Sequence, residues 1–169
     1  LFSAFGFFKG FSTRGYHLIP HFCAGIDGSA KDENFHSMAS AKLHNVCKAE
    51  RTAAGNHSEE ADEGLRHKIW KMAQTVYEHE LRITDMLFEV EGNRVVKKQE
   101  LIDFIQDRTN VVLQRLGLPK MFDREPGLIS DWFYQQLSVV KVPDFFAATQ
   151  LQYTRNWAKH KLTFRHHGA

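Results

Sequence analysis

The sequence is poor in cysteine and in proline, with two cysteines and four prolines among its 169 residues. Cys23 and Cys47 cannot build a disulfide framework, and their spacing fits no zinc-binding pattern. We therefore expect a reducing, intracellular compartment, with the cytoplasm favoured over an organelle. So few prolines, without regularly spaced turn residues, argue against an all-β sandwich or barrel. The fold class that this leaves is all-α.

Long hydrophobic runs and a large excess of one charge are also missing. No apolar window approaches the roughly 20 residues that a bilayer-spanning helix needs, so we predict no membrane span. The 22 Lys and Arg residues nearly balance the 20 Asp and Glu residues, and the formal net charge is +2. Because polybasic tracts are absent, we expect no nucleic acid partner. We predict a single domain over residues 1–169, long enough to bury about two thirds of its unfolded surface.

Aromatic residues are abundant, and they concentrate at the start of the chain. The first eleven residues include five phenylalanines: Phe2, Phe5, Phe7, Phe8 and Phe11. No cationic leader precedes these residues and no cleavage-type ending follows them, so we do not interpret them as a signal peptide. We interpret residues 1–13 instead as an apolar helix that is truncated at its start. At 100° per residue, the five rings point around the whole helix. We therefore predict that a second polypeptide covers residues 1–11 and that the chain is not a stable monomer.

Helical periodicity continues along most of the chain. A polar stretch at 49–64 is interpreted as a loop or the entry to a helix. The other predicted elements, in chain order, are long helices at about 21–48, 62–90 and 97–116, a loop at 121–130, a short helix at 131–137, an extended strip at 139–142 and a last helix at 143–162. The expected architecture is a helical bundle.

The residues with the clearest chemical meaning lie in the first of these long helices. Glu33 and His36 are three positions apart, so a carboxylate oxygen and an imidazole nitrogen can bind one cation from one helical face. Such pairs recur in di-iron and di-manganese bundles. The pair belongs to a stripe of apolar and metal-capable residues: Phe22, Ile26, Ser29, Glu33, His36, Ser40 and Leu43. We expect the pair to face the bundle interior, although its spacing alone also fits a solvated helix face.

We predict no metal or catalytic site at the other clusters of titratable residues. The patch at 57–67 is rich in acids and histidine, as is typical of the solvated first turn of a helix. The last residues, 159–169, form a basic, histidine-rich tail for which we expect no function. Both cysteines are expected to be small buried residues.

Three passages, in order along the chain, carry a more specific signal. The first is the Phe-rich helix, followed by LIP at 18–20 and KDENFH at 31–36. The second spans 97–122 and includes LIDFI at 101–105 and LGLP at 116–119. The third joins EP at 125–126, SDWF at 130–133 and KVPDFF at 141–146. Together they resemble the C-terminal half of the small, radical-generating subunit of class I ribonucleotide reductase.

The resemblance implies a ferritin-like helical bundle that is incomplete in this chain. It also implies a di-iron or mixed Mn/Fe site, and a tyrosyl radical that serves a large reductase subunit in deoxyribonucleotide synthesis. Glu33 and His36 match the two metal ligands of the family's second Glu-x-x-His helix. Asp32 matches the acid that hydrogen-bonds a ligand histidine on the radical-transfer route. Lys31 replaces the usual Arg, so a fork-shaped donor becomes a point charge.

The chain departs from that family in its ligand set. It supplies two of six protein ligands, because the family's Asp, its other Glu-x-x-His pair and a further Glu lie upstream. The radical tyrosine belongs to the same upstream part, so none of the four tyrosines inherits that role. The family's acidic C-terminal tail, which docks on the large subunit, is replaced here by the basic residues 159–169.

Three functions are compatible with the sequence. The chain is part of a working oxidoreductase that needs a second chain or the missing N-terminal half, as a homodimer or in a larger assembly with the large subunit. Alternatively, it is a catalytically inactive, reductase-derived structural subunit that holds no metal. The third is an unrelated helical adaptor with a chance motif. A Glu and a Glu-x-x-His pair just upstream, or in a chain packed against this one, would distinguish the enzyme from the scaffold.

Overall fold

Regular structure in the described part of the chain is helical throughout. The computed structural model describes residues 2–13, 19–56, 58–90 and 95–138. The helices are α1 (Phe2–Thr13), α2 (Pro20–Ala53), α3 (Glu59–Leu87), α4 (Lys98–Arg115) and α5 (Leu128–Ser138). These ranges contain no strand, so the all-α prediction is confirmed, and the arrangement is consistent with a ferritin-like bundle. The predicted strip at 139–142, the helix at 143–162 and the tail at 159–169 lie outside the described residues.

The two longest helices extend into the stretch 49–64, which was predicted as a loop or the entry to a helix. α2 begins at Pro20, whose fixed φ suits a first helical position, and it continues to Ala53. α3 begins at Glu59, where the Ser58 hydroxyl accepts a hydrogen bond from the Ala61 backbone N–H at 3.3 Å. Of the stretch 49–64, residues 59–64 are the entry to α3, as one of the two predicted alternatives has it, whereas residues 49–53 belong to α2 and not to a loop. Alanine and charged residues, which favour helices, lengthen α2 and start α3 earlier.

The turn after α4 is closed by a glycine in the left-handed conformation. Gly117 has a φ of 74°, which glycine adopts readily because it lacks a Cβ atom. The Leu118 N–H donates to the Leu113 carbonyl at 2.9 Å, as at a Schellman helix end. α4 thus ends close to its predicted position, whereas α5 begins at Leu128, before the predicted start at Asp131.

The Phe-rich helix α1 contacts α2, α3, α4 and α5. The Phe2 ring packs edge to face on Phe5 and Phe133, with ring centroids 5.8 and 5.9 Å apart. Phe5 is buried, and no side chain from Phe2 to Phe11 is exposed. Helices of the same chain therefore cover much of each ring from Phe2 to Phe11, and the cover of residues 1–11 by a second polypeptide stays a prediction.

A buried ion pair joins α1 to α2. Lys9 Nζ donates hydrogen bonds to Asp27 Oδ1 and Oδ2 at 2.7 and 2.6 Å. The same ammonium lies 4.7 Å from the centroid of the Trp132 ring. Because Lys9 is only 7% exposed, these contacts offset the cost of burying its charge.

None of the helices in the described ranges is long and apolar enough to span a membrane.

Gly10 marks a close approach of α1 to the segment before α4. A Cβ atom at Gly10 would overlap Cγ2 of the buried residue Val96. We expect Gly10→Ala to lower the free energy of unfolding by about 1–3 kcal/mol, the usual cost of overpacking. Gly28 in α2 is the matched control, because a Cβ atom there meets nothing within 4 Å. Gly28→Ala should instead raise the free energy of unfolding by about 0.5–1 kcal/mol through helix propensity.

Urea unfolding followed by circular dichroism measures both variants. A Gly10→Ala protein as stable as the Gly28→Ala protein would contradict the close approach of α1 to Val96.

Candidate metal site

The predicted metal ligands lie in the middle of α2. One face of this helix is buried and carries Cys23, Ile26, Ala30 and Ala41, and α2 contacts α1 and α4. At 100° per residue, Glu33 falls at the edge of the buried face and His36 lies beyond that edge. The site is therefore placed on the flank of α2 and not on its packed side.

Glu33 and His36 are close to each other but exposed. Glu33 Oε2 lies 3.7 Å from His36 Nδ1, and the two side chains are 43% and 68% exposed. The prediction that they face the bundle interior is wrong for this chain. The predicted stripe that runs from Phe22 to Leu43 does not coincide with the buried face of α2. Ile26 is therefore buried, whereas Phe22 and Leu43 are exposed.

The pair fits part of a metal site and not a complete one. A carboxylate and an imidazole are suitable donors for iron or manganese, and the 3.7 Å separation allows both to approach one ion. In the described part of the chain, no group of three or more His, Cys, Asp or Glu side chains comes together. Asp32 is exposed and lies 100° around the helix from Glu33. Cys23 and Cys47 are free, the first buried as predicted and the second exposed against the prediction.

Asn34, which lies between the two candidate ligands in sequence, ties α2 to α4. Its Oδ1 accepts hydrogen bonds from Nη2 of Arg115 at 3.0 Å and from Nη2 of Arg108 at 3.4 Å. One turn further along α2, Ser37 Oγ accepts a hydrogen bond from Nη1 of Arg115 at 3.1 Å. These contacts fix the rotation of α2 about its axis, and with it the side on which the Glu33–His36 pair lies.

The two arginines on α4 form a cationic cluster against the Asn34 and Ser37 side chains of α2. Neither Arg108 nor Arg115 makes an ion pair with a carboxylate of the described residues. Burial lowers the pKa of the Arg115 guanidinium, and the positive charge of Arg108 lowers that pKa further. Burial also raises the pKa of Tyr134 to about 12, against the opposing effect of the Arg108 charge. The Tyr134 hydroxyl stays protonated at neutral pH and donates to Asp107 Oδ2 at 2.7 Å.

The sequence patterns do not predict a role for this cluster. Arg108 and Arg115 fall within the second passage of the resemblance, 97–122, and Asn34 within the first, but no role is predicted for any of the three. The signal that could have identified Arg108 is its position among the apolar residues of α4, where it is 3% exposed. Arg115 carries no comparable signal, because an arginine in the last turn of a helix is common.

The acidic, histidine-rich patch at 57–67 is the solvated start of α3, as predicted. Its described side chains are exposed except for Asp62, whose Oδ2 lies 3.7 Å from Lys48 Nζ. His57 and the tail at 159–169 lie outside the described residues. No metal role follows for this patch.

The chain matches one known protein family. A family model described as the ribonucleotide reductase small chain matches residues 1–127. This range includes α1 to α4, and therefore the Glu33–His36 pair together with both arginines. No curated protein and no solved structure matches the chain.

Proposed function

Because the chain belongs to the ribonucleotide reductase small-chain family, we propose that it contributes one side of a di-metal site for radical generation in deoxyribonucleotide synthesis. The observation that carries the proposal is the Glu33–His36 pair, with its donor atoms 3.7 Å apart on α2. Its position resembles that of the family's second Glu-x-x-His helix, which supports the proposal. When bound, a di-iron or mixed Mn/Fe centre would supply the oxygen-dependent redox chemistry.

The residues of this chain have separate roles in the proposal. Glu33 binds a metal ion through a carboxylate oxygen, and His36 binds through an imidazole nitrogen. Asp32 is a positioning residue that orients a ligand histidine by a hydrogen bond. Asn34, held by Arg108 and Arg115, keeps α2 rotated so that the pair faces outward from this chain.

The remaining ligands come, in this proposal, from another stretch of polypeptide. That stretch belongs either to the N-terminal half of the small-subunit fold or to a second subunit. Phe22 and Leu43, on the same flank of α2 as the ligand pair, are 53% and 64% exposed. Apolar side chains grouped on one flank are typical of a surface that another polypeptide covers. Such a contact would remove water from Glu33 and His36 and add ligands, in a homodimer or a larger assembly with the large reductase subunit.

A second candidate function is a catalytically inactive structural subunit. It is favoured by the 68% exposure of His36 and by the lack of a third donor near the pair within the described ranges. Lys31 also favours the structural subunit, because a single ammonium group replaces the forked guanidinium that the family has at this position. In this role the chain would bind its assembly through its surfaces and hold no metal.

The metal affinity of the purified chain tests the proposal. We expect weak binding of at most one Fe²⁺ per chain, because two protein donors leave most coordination positions to water. Glu33→Ala and His36→Ala should each lower that affinity by about tenfold or more, since losing even a ligand's hydrogen-bond partner costs that much. Anaerobic equilibrium dialysis against Fe²⁺, followed by metal analysis, measures the affinity.

The control is Glu50→Ala, an exposed acid on the same helix, which should bind Fe²⁺ as the original chain does. Equal binding by all three variants would contradict the site. Absence of binding by the original chain would favour the structural subunit. Tight stoichiometric binding that both ligand variants lose would show that further ligands lie within these 169 residues.

A further inference from the structure

A groove between α3 and α4 is lined by neither candidate metal ligand. Its volume is about 440 Å³, within the roughly 300–1,000 Å³ of small-molecule sites. Ile69, Met72 and Val76 of α3 line one wall, and Val112 and Leu116 of α4 line the other. Met72 and Val76 are 64% and 52% exposed, so the groove leaves apolar surface in water. Covering that surface is favourable in proportion to its area.

One charged side chain of the groove, that of Arg108, is buried and incompletely satisfied. Arg108 is 3% exposed, and its Nε atom is buried without a hydrogen-bond partner. Its other polar contacts are long, at 3.5 Å from Nη1 to the Tyr134 hydroxyl and 3.4 Å from Nη2 to Asn34 Oδ1. The guanidinium carbon also lies 4.7, 5.1 and 5.7 Å from the centroids of the Phe2, Phe133 and Tyr134 rings, which stabilise the charge but accept no hydrogen bond from Nε. A buried guanidinium without a carboxylate partner is costly, and an added anionic acceptor would offset that cost.

The acid that also lines the groove, Glu80, is engaged elsewhere. Its Oε2 accepts a hydrogen bond from the Ser3 backbone N–H at 3.0 Å, and no ion pair joins it to Arg108. The groove therefore combines long apolar walls with one buried cation that has an unused donor.

We propose that this groove binds a single-chain amphiphile with a carboxylate head group, such as a fatty acid. The carboxylate accepts hydrogen bonds from Nε and a terminal nitrogen of Arg108, the side-by-side geometry that arginine and carboxylates favour. The hydrocarbon chain lies along Met72, Val76 and Val112 and removes their apolar surface from water. Neither Glu33 nor His36 lines the groove, but Arg108 also donates to Asn34 Oδ1, so Val112→Phe is the variant that tests the groove apart from the metal-binding pair.

The buried guanidinium of Arg108 favours a thin ligand with an anionic end over an apolar helix of another polypeptide. A hydrocarbon chain can lie along the apolar walls and bring a carboxylate to Arg108.

Isothermal titration of the full chain with dodecanoate, below its micelle concentration, tests the proposal. We expect saturable binding of one dodecanoate per chain, and binding of dodecyltrimethylammonium at least about tenfold weaker because its head group is cationic. Arg108→Met should weaken dodecanoate binding by about tenfold or more. Val112→Phe, which narrows the groove without changing charge, should weaken it similarly. Arg82→Met, which removes the same charge from an exposed position on α3, should leave binding within about twofold.

Circular dichroism establishes that each variant is folded. If Arg108→Met does not fold, the proposal is still tested by the comparison of the two head groups and by dodecanoate binding to Val112→Phe. Equal affinity for both head groups, unchanged binding by Val112→Phe, or no saturable binding would each overturn the proposal. A dimer in sedimentation that Val112→Phe dissociates and dodecanoate does not would assign the groove to a second copy of the chain instead.

Discussion

Replacing Phe104 with alanine is expected to lower the free energy of unfolding by about 3–5 kcal/mol. Phe104 of α4 is completely buried, and its ring centroid lies 5.2 Å from that of Phe133 in α5. On the side of α1, Gly6 has no side chain that could move into the space left by the ring. A Cβ atom at Gly6 would lie 3.0 Å from Phe104 Cδ1. The cavity therefore stays open, and its cost is a large share of the 5–15 kcal/mol that stabilises a typical domain.

Urea unfolding of the full chain, followed by circular dichroism, gives the free energy difference. Leu128→Ala is the matched control, because this leucine is 61% exposed and its truncation should change stability by less than about 0.5 kcal/mol. A loss below about 1 kcal/mol for Phe104→Ala would contradict the packing of α1, α4 and α5 around this ring.

The helices could be predicted because apolar residues repeat at helical spacing over long stretches. In α4, the predicted apolar residues Leu101, Ile105 and Leu113 are buried. The helical conformation of the polar residues 49–53 and 59–61 was harder to predict, because polarity alone does not distinguish a loop from a solvated helix end. Capping at Ser58, which decides where α3 begins, involves a single side-chain hydrogen bond.

The proximity of the two candidate ligands could be predicted from the sequence, whereas the orientation of the pair could not. The spacing of Glu33 and His36 correctly places the two side chains within reach of each other. Periodicity, however, does not reveal which flank of a helix meets a partner. That depends on long-range contacts, such as those of Asn34 with Arg108 and Arg115 of α4. No local pattern in the sequence encodes a contact between residues so far apart along the chain.

Asn110 is another residue whose importance depends on a contact with a different segment. It is 3% exposed on α4, and its side chain holds the turn that follows this helix. Its Nδ2 donates to the Phe122 carbonyl at 2.9 Å. Its Oδ1 accepts from the backbone N–H groups of Met121 and Phe122 at 2.9 and 3.0 Å. One side chain thus satisfies three backbone groups of a segment that has no helix or strand of its own.

Asn110→Ala is therefore expected to lower the free energy of unfolding by about 2–4 kcal/mol. Each hydrogen bond contributes about 0.5–1.5 kcal/mol, and partly buried backbone groups left without partners add to the loss. Asn45→Ala is the matched control, because Asn45 makes one exposed hydrogen bond, from Nδ2 to the Arg115 carbonyl at 2.9 Å. Its removal should cost no more than about 1 kcal/mol. Urea unfolding measures both losses.

The same variant has a local consequence that separates loss of the turn from general weakening. Phe122 packs against Tyr77 of α3, with ring centroids 4.6 Å apart, so the turn held by Asn110 also reaches α3. In Asn110→Ala, amide hydrogen exchange at Met121 and Phe122 should rise more than exchange in the middle of α4, because the turn opens before the helix does. Uniform acceleration along α4 and the turn would contradict a local role for Asn110 and would make it an ordinary core residue.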